Sequence, residues 1–523
     1  MTDHRELEYK LAIRAEDVAA FRRLPLLKSL RVIGPTRRKM LNIYFDTPGR
    51  KLGEERMALR LRKSGGKWLQ TLKTADAGGH GMFARGEWEQ AVPGPVLDLS
   101  LLRDTPLAKF ARRSGFHTEL QAVFQTDFYR TAWLLDLGPG RRVEVALDLG
   151  EIRCGERSEA ISEVEIELME GDADAVFEMA AMLTEQLHLQ PATLSKAERG
   201  YRLLAQEPPA PRRAQAVEIK RKHSPELALQ AMLSECLAHF ENNVSGALDS
   251  VDPEYIHQLR VALRRMRSAL RVFPLIDSED FIAEVKWLAA ALGAARDWDV
   301  FVEKILPPLS AAYADPAITR RLTTASRRNQ RNARATAREA LLSQPHAHLA
   351  LSVSRWLHVP GALRLQSKAD PAAADTADIP ALAEKEIRRR QRQLLRDTTQ
   401  LATQSSQQQH LVRIDAKRLR YALEFFQKLY PKGDEMRYAR LLGSIQDLLG
   451  DSNDDAVALT LLESLAMPPA FVSFARGWAA ARAQANTARL TEKLEALKKF
   501  SRKWPGKAKK ESGDAIQEST KAN

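Results

Sequence analysis

The sequence predicts a multidomain protein: an α+β region of about eight short strands, closed as a barrel or stacked as a sandwich, then an all-α region with two related halves. Three observations carry this. At 523 residues the chain is longer than one ordinary core accommodates. Residues 1–170 alternate apolar and polar side chains in short runs punctuated by glycine and proline, whereas from about 225 to 500 apolar residues recur at three and four. Within the second region a composite motif occurs twice in the same order.

Strands are expected at 6–13, 41–45, 58–62, 68–73, 85–91, 124–135, 142–147 and 161–168, with helices at about 15–24, 106–115, 172–188 and 195–205. Pro208, Pro209 and Pro211 make 206–213 a linker. The resulting division is 1–205, a linker at 206–217, a helical domain at 218–500 and a basic tail at 501–523, expected to be disordered. Residues 369–380, rich in Pro, Ala and Asp, read as a loop between the helical halves; the polar stretch 400–409 leads into a helix. His257-Gln-Leu-Arg260-Val-Ala-Leu-Arg264-Arg265-Met-Arg267 matches His410-Leu-Val-Arg413-Ile-Asp-Ala-Lys417-Arg418-Leu-Arg420. Leu292-Gly-Ala-Ala-Arg-Asp297 and Leu449-Gly-Asp-Ser-Asn-Asp454 follow in the same order. So long a period indicates a duplicated helical domain, not a solenoid.

Eighty Lys and Arg against 67 Asp and Glu give a net charge of +13. Residues 1–205 carry only +1 of this and 206–523 carry +12. A polyanionic partner is expected for the second region: nucleic acid, an acidic membrane surface or polyphosphate. The two cysteines, Cys154 and Cys236, lie far apart in different halves, which argues against a disulfide framework or a thiolate zinc site. The start carries no apolar signal core, and no run of about 18 apolar residues occurs. A soluble, cytoplasmic protein with no membrane partner is expected.

The first region holds a pattern of paired charge. On a strand, alternate residues share a face, so Glu6, Glu8 and Lys10 line one side and Leu7 and Tyr9 the other. Arg60 and Arg62, Glu87 and Glu89, Glu144 and Asp148, and Glu163, Glu165 and Glu167 repeat the pattern, joined by Lys73 and Arg130. One strand with a solvated face looks the same. Over all the strands, however, Leu7, Leu61, Val164 and Ile166 need burial, which they find outside a barrel whose lumen is charged. Burying so many unpaired charges is costly, so the lumen requires water, a metal or an ionic ligand. Carboxylates suit Mg²⁺ or Mn²⁺, cations suit phosphate, and both together suit a metal–polyphosphate substrate.

Glu6-x-Glu8-x-Lys10 resembles the signature of CYTH domains, the triphosphate tunnel metalloenzymes. Asn42-Ile-Tyr-Phe-Asp46-Thr-Pro48, Arg60-x-Arg62, Thr71-Leu-Lys73, Phe128-Tyr-Arg130, Ala146-Leu-Asp148-x-Gly150, Glu163-x-Glu165-x-Glu167 and Ser195-Lys196-Ala-Glu-Arg-Gly200 follow in family order. The resemblance spans about 1–205. It implies an eight-stranded antiparallel tunnel that hydrolyses or cyclises triphosphorylated compounds with Mg²⁺ or Mn²⁺. By position, Glu6, Glu8 and one or both of Glu165 and Glu167 would hold metal, with Asp148 holding a second metal or orienting the attacking water. Lys10, Arg60, Arg62, Lys73, Arg130 and Lys196 would grip the triphosphate, Lys196 as a lid from the start of a helix. Glu6, Glu8, Lys10 and Asp148 are the implied catalytic set.

In the second region His257, Arg260, Arg264 and Arg267 form one helical stripe, repeated by His410, Arg413, Lys417 and Arg420. Guanidinium forks beside imidazole favour an anion over a metal. The arrangement resembles the CHAD domain over about 218–500, which implies two four-helix-like halves around a basic groove that binds long-chain inorganic polyphosphate. Asn453 in place of Arg296 departs from symmetry. Asp297, Asp299, Asp454 and Asp455 are expected to cap helices or pair with the arginines, and Trp287, Trp298, Trp356 and Trp478 to be core. The cations of 498–510 around Trp504 are expected to be a solvated tail.

These readings converge on a metal-dependent inorganic triphosphatase that cleaves tripolyphosphate to pyrophosphate and phosphate and carries a polyphosphate-binding module. The alternatives are adenylate cyclase or thiamine- or nucleoside-triphosphate hydrolysis on the same barrel, or a non-catalytic polyphosphate receptor. Nucleic-acid binding is expected to be non-specific only.

Overall fold

A computed structural model describes residues 5–74, 82–111, 116–206, 210–275, 278–365, 378–398, 406–430 and 434–501. The chain forms two compact units, Met1–Ala210 with Leu341–Leu363, and Pro211–Ala340 with Arg364–Asn523.

The first unit is a closed antiparallel barrel. Its strands are β1 (Arg5–Ala12), β2 (Arg31–Asp46), β3 (Met57–Ser64), β4 (Lys67–Thr74), β5 (Met82–Val92), β6 (Gln121–Asp136), β7 (Arg142–Cys154) and β8 (Arg157–Glu170). They run in the order β5-β4-β3-β2-β6-β7-β8-β1, and β1 pairs back onto β5 to close the ring. A two-residue β9 (Gln190–Pro191) extends β1. Eight barrel strands match the sequence expectation. β2 is far longer than 41–45 because its first nine residues are exposed: with no apolar face to alternate, pairing to β6 alone defines them. The helix expected at 106–115 is described only at Ala108–Ala111.

The register stacks the charges on the inner parity. Lys10 lies opposite Glu165, Glu8 opposite Glu167, Asp148 opposite both Glu163 and Arg130, and Lys73 opposite Ala58 and Glu87. The outer parity is apolar. Tyr9, Leu11, Val143, Val145, Leu147, Val164 and Ile166 pack against Val176, Phe177, Met179, Ala180 and Leu183 of α1 (Ala173–Gln186). The main core of this unit therefore lies outside the barrel wall. α2 (Lys196–Ala205) begins at a capping box in which Ser195 and Glu198 exchange hydrogen bonds. Its Ala197, Tyr201 and Leu204 close over Tyr44, Phe124, Phe128 and Ile152.

The helix Gln344–His358 also belongs to this unit. It packs on α1 and β9, buries Leu351 in the same core, and pairs Arg355 with Asp174 through two bonds of 2.6 and 3.2 Å. The division drawn from the sequence places it inside 218–500. Helical periodicity marks a buried face but not the neighbour that covers it.

The second unit is all helical. One half comprises α3 (Pro225–Asp249), α4 (Pro253–Val272), α5 (Glu279–Val300), continued through Phe301–Ile305 into Leu306–Ala312, and α6 (Pro316–Leu341). The other comprises α7 (Ile379–Asp397), α8 (Ser406–Phe426), α9 (Asp434–Ser464) and α10 (Pro469–Ser501). α4 packs on α8 and α5 on α9, so the duplicated helices meet their counterparts. Trp298 is core, but Trp287 is 45% exposed. It falls on the face of α5 opposite the buried Val285, Leu288 and Leu292. Most of the 369–380 stretch expected as an interhalf loop, the start of the 400–409 stretch and the tail beyond 501 lie outside the described residues, and Ile379 already begins α7. Among the described residues no helix is long and apolar enough to cross a membrane.

Candidate functional site

The barrel lumen forms a cavity of ≈ 760 Å³, lined by Glu8, Lys10, Arg60, Arg62, Lys73, Arg130, Glu165, Glu167 and Lys196 among others. Nine of the residues expected from the sequence thus share one enclosure. Glu6 lies on β1, but its side chain is outside the described residues. Asp148 sits in the wall behind, fully buried.

At the acidic side, Asp148, Glu163 and Glu165 bring carboxylate oxygens within 4.8 Å of one another. Cations already neutralise them. Arg130 donates to both oxygens of Asp148 at 2.8 and 2.7 Å and also to Glu165. Lys196 donates to Asp148 at 2.7 Å, to Glu165 at 2.9 Å and to Glu163. Lys10 bonds Glu165 and stands 3.1 Å from Glu8. Burial alone would raise the Glu165 carboxyl; Arg130, Lys10 and Lys196 outweigh it and hold it well below the usual range. The Lys196 ammonium is in turn raised, its burial overcome by Asp148, Glu163 and Glu165.

Two features of the site go beyond the family positions. Glu163, which the family positions do not single out as a metal ligand, completes the acid trio, while Glu167 lines the cavity apart from it. Alternation fixes a residue's parity but not its height in the barrel, and the register opposite Asp148 supplies that height. Lys196, expected as a lid from the start of a helix, is buried against the acid trio. It is 7% exposed, at the first turn of α2, with its ammonium 4.9 Å from the Phe128 ring centre.

Across the lumen, Arg60, Arg62 and Lys73 face Glu87 and Glu89. Lys73 lies 3.0 Å and Arg60 3.5 Å from Glu87; Arg62 lies 3.7 Å from Glu89. Arg62 also donates to Asn42, which donates to Thr126. Burial and the charges of Arg60 and Arg130 push the Arg62 guanidinium down to about 10. Like charge therefore accumulates here in excess of the acids, as an anion site requires. Tyr44, opposite Arg60 in the register, is buried in the same wall. Burial would raise its hydroxyl, but Arg60, Arg62 and Lys196 lower it. Its shared parity with Asn42 is the sequence signal that could have found it.

The donor set of the trio, hard oxygen and no nitrogen or sulfur, fits a divalent cation such as Mg²⁺ or Mn²⁺. The ammonium at its centre shows that the cage accepts a positive charge.

In the second unit, Arg260, Arg264, Arg413 and Lys417 gather where α4 meets α8, joined by Arg296 from α5. Burial, then Arg296, Arg264, Arg260 and Lys417, push His257 down to about 3, so its imidazole is neutral. Burial and then Arg264, Arg413 and Arg260 push Lys417 down to about 6. Arg260 donates to the Ala289 carbonyl at 2.8 Å and Arg264 to the Tyr421 hydroxyl at 3.0 Å. Arg413 is 3.9 Å from Asp454, and its Nε has no hydrogen-bond partner among the described residues. Arg420 instead pairs with Glu424 at 3.0 Å, and Arg267 lies near Arg418. The side chain of His410 is outside the described residues. None of the four aspartates caps a helix: all lie within α5 or α9. Asp299 pairs with Arg334 on α6 and Asp455 with Arg482 on α10, away from the cationic stripe.

A strand-walled lumen of opposed charge and a duplicated basic helical bundle define the two classes of domain present. The model of the CYTH domain matches residues 4–201 and that of the CHAD domain residues 231–463. The chain is a CYTH domain followed by a CHAD domain. It is 32% identical over 169 residues to an inorganic triphosphatase of Haemophilus influenzae, an alignment covering 31% of this chain and 45% of that one, less than half of the relative's length. It is 25% identical over 457 residues, 80% of each chain, to an uncharacterised protein of Mycobacterium tuberculosis. A crystal structure of the CHAD domain from the plant Ricinus communis is 31% identical, with a TM-score of 0.47, covering 56% of this chain and 96% of that one.

Proposed function

We propose that the barrel is a metal-dependent inorganic triphosphatase that hydrolyses tripolyphosphate to pyrophosphate and phosphate, and that the helical unit binds long-chain polyphosphate. One observation carries the reading: the carboxylates of Glu8, Glu165 and Glu167 and the cations of Arg60, Arg62 and Lys73 line one cavity, so metal and phosphate chain have complementary walls. The similarity to an inorganic triphosphatase over the barrel supports it.

Glu8, Glu165 and Glu167, with Asp148 and Glu163 behind them, are the residues that would hold Mg²⁺ or Mn²⁺. The metal would supply charge neutralisation on the phosphate oxygens. Arg60, Arg62, Lys73 and Lys10 bind the chain and stabilise charge that spreads over the transferred group. Asp148 fixes Arg130 through two hydrogen bonds, which positions that guanidinium with no reorganisation at the reacting moment. In the second unit, Arg260, Arg264, Arg296, Arg413 and Lys417 form the polyphosphate contact.

The test is phosphate release from tripolyphosphate, ATP and thiamine triphosphate with Mg²⁺ or Mn²⁺. Tripolyphosphate should give the highest kcat/KM, and EDTA should abolish turnover. Equal turnover with EDTA, or preference for ATP with cyclic product, overturns the reading.

A further inference from the structure

The acid trio holds one more cation than a phosphate grip needs. Asp148, Glu163 and Glu165 already have Arg130, Lys10 and Arg199 beside them; Arg199 is 3.1 Å from Glu163. Yet the Lys196 ammonium sits among all three carboxylates. One cage of three carboxylates within 4.8 Å does not hold an ammonium and a divalent ion at once.

We propose that Lys196 is an internal stand-in for the metal: its ammonium fills the Asp148–Glu163–Glu165 cage in the metal-free barrel, and a divalent cation enters only as the lysine withdraws. This rests on the reading that the barrel takes a divalent metal.

Withdrawal needs side-chain rotation, not helix movement. α2 is pinned from its own residues: Tyr201 donates to Asp46 at 2.8 Å, and Asp46 also accepts from the backbone of Thr47, Leu52 and Gly53. Gly200 lies so close to Phe124 that a Cβ would meet its ring at 2.2 Å. The lysine stem hangs from the first residue of this fixed helix and lines the cavity. Once released, its ammonium faces the lumen and becomes a further phosphate contact. Metal and phosphate binding thereby become mutually reinforcing, because each favours the lysine in the same place.

Two measurements on full-length, metal-free protein test this. Mn²⁺ binding, followed by electron paramagnetic resonance, should be tighter in Lys196→Met than in wild type by about tenfold or more, because the competing charge is gone. Lys196→Arg, which keeps the charge, should not gain affinity. In wild type, Mn²⁺ should raise acetylation of Lys196 by acetic anhydride several-fold as the ammonium leaves its cage; this readout needs no variant and decides the matter if Lys196→Met does not fold. Equal Mn²⁺ affinity in folded Lys196→Met and wild type, or labelling unchanged at saturating Mn²⁺, overturns the stand-in while leaving the metal reading intact. Absence of Mn²⁺ binding in every variant overturns both.

Discussion

Arg62 and Arg130 show why two arginines in one lumen respond differently to mutation. Arg130 is locked to Asp148 and Glu165, so removing it strands buried carboxylates. Arg62 has one neutral hydrogen bond and a loose 3.7 Å contact, and it feels Arg60 and Arg130 as repulsion. We expect Arg62→Ala to leave the melting temperature of the metal-free protein within a few degrees of wild type. Its kcat/KM for tripolyphosphate should fall about 10²-fold or more, as for loss of a charge-stabilising donor. A calorimetric melt beside a phosphate-release assay checks both halves of this expectation. Most of these lumen residues were legible, because charge that alternates with period two over many strands must share one enclosed polar face. That Glu163 joins Asp148 and Glu165 in one trio was not, since it depends on which residue lies across the ladder.

At the scale of the element, α2 and α8 carry the sharpest expectations. Gly200 lets α2 approach the barrel: a Cβ there would overlap the Phe124 ring, at 2.2 Å from its nearest carbon. Gly200→Ala should destabilise the barrel by about 1–3 kcal/mol, the usual range for overpacking, and lower activity by displacing Lys196; thermal melts and turnover measure it. On α8, Lys417 is pushed down to about 6 by burial and by Arg264, Arg413 and Arg260, with Asp454 opposing the shift. A bound polyanion raises that value again, so binding takes up a proton above about pH 6. Affinity for polyphosphate should therefore weaken as pH rises, by up to about tenfold per unit between pH 7 and 9 for one proton. Lys417→Arg, charged throughout, should flatten the profile; calorimetric titrations at several pH values would show it. The helical stripe itself was readable from spacing at three and seven, and the duplication gave it weight. That Arg267 and Arg420 leave the cluster for Arg418 and Glu424 was not readable, because a stripe spans more of the helix than one crossing can use.

For the whole molecule, the sequence indicated two architectures in the right order but drew one border between them, whereas the chain passes from one unit to the other three times. Gln344–His358 completes the first unit through Leu351 in its core and Arg355 on Asp174. Leu351→Asp in the full chain should destabilise the barrel unit by about 2–5 kcal/mol, the scale of losing a buried leucine. The expected readout is an early thermal transition that takes tripolyphosphate turnover with it. Preserved turnover at the wild-type inactivation temperature would remove this helix from the barrel's support. The arrangement also sets a schedule for the nascent chain. The strands leave the ribosome first, but the outer face of α1 waits for a helix more than 150 residues downstream, so the unit synthesised first cannot be the first one finished.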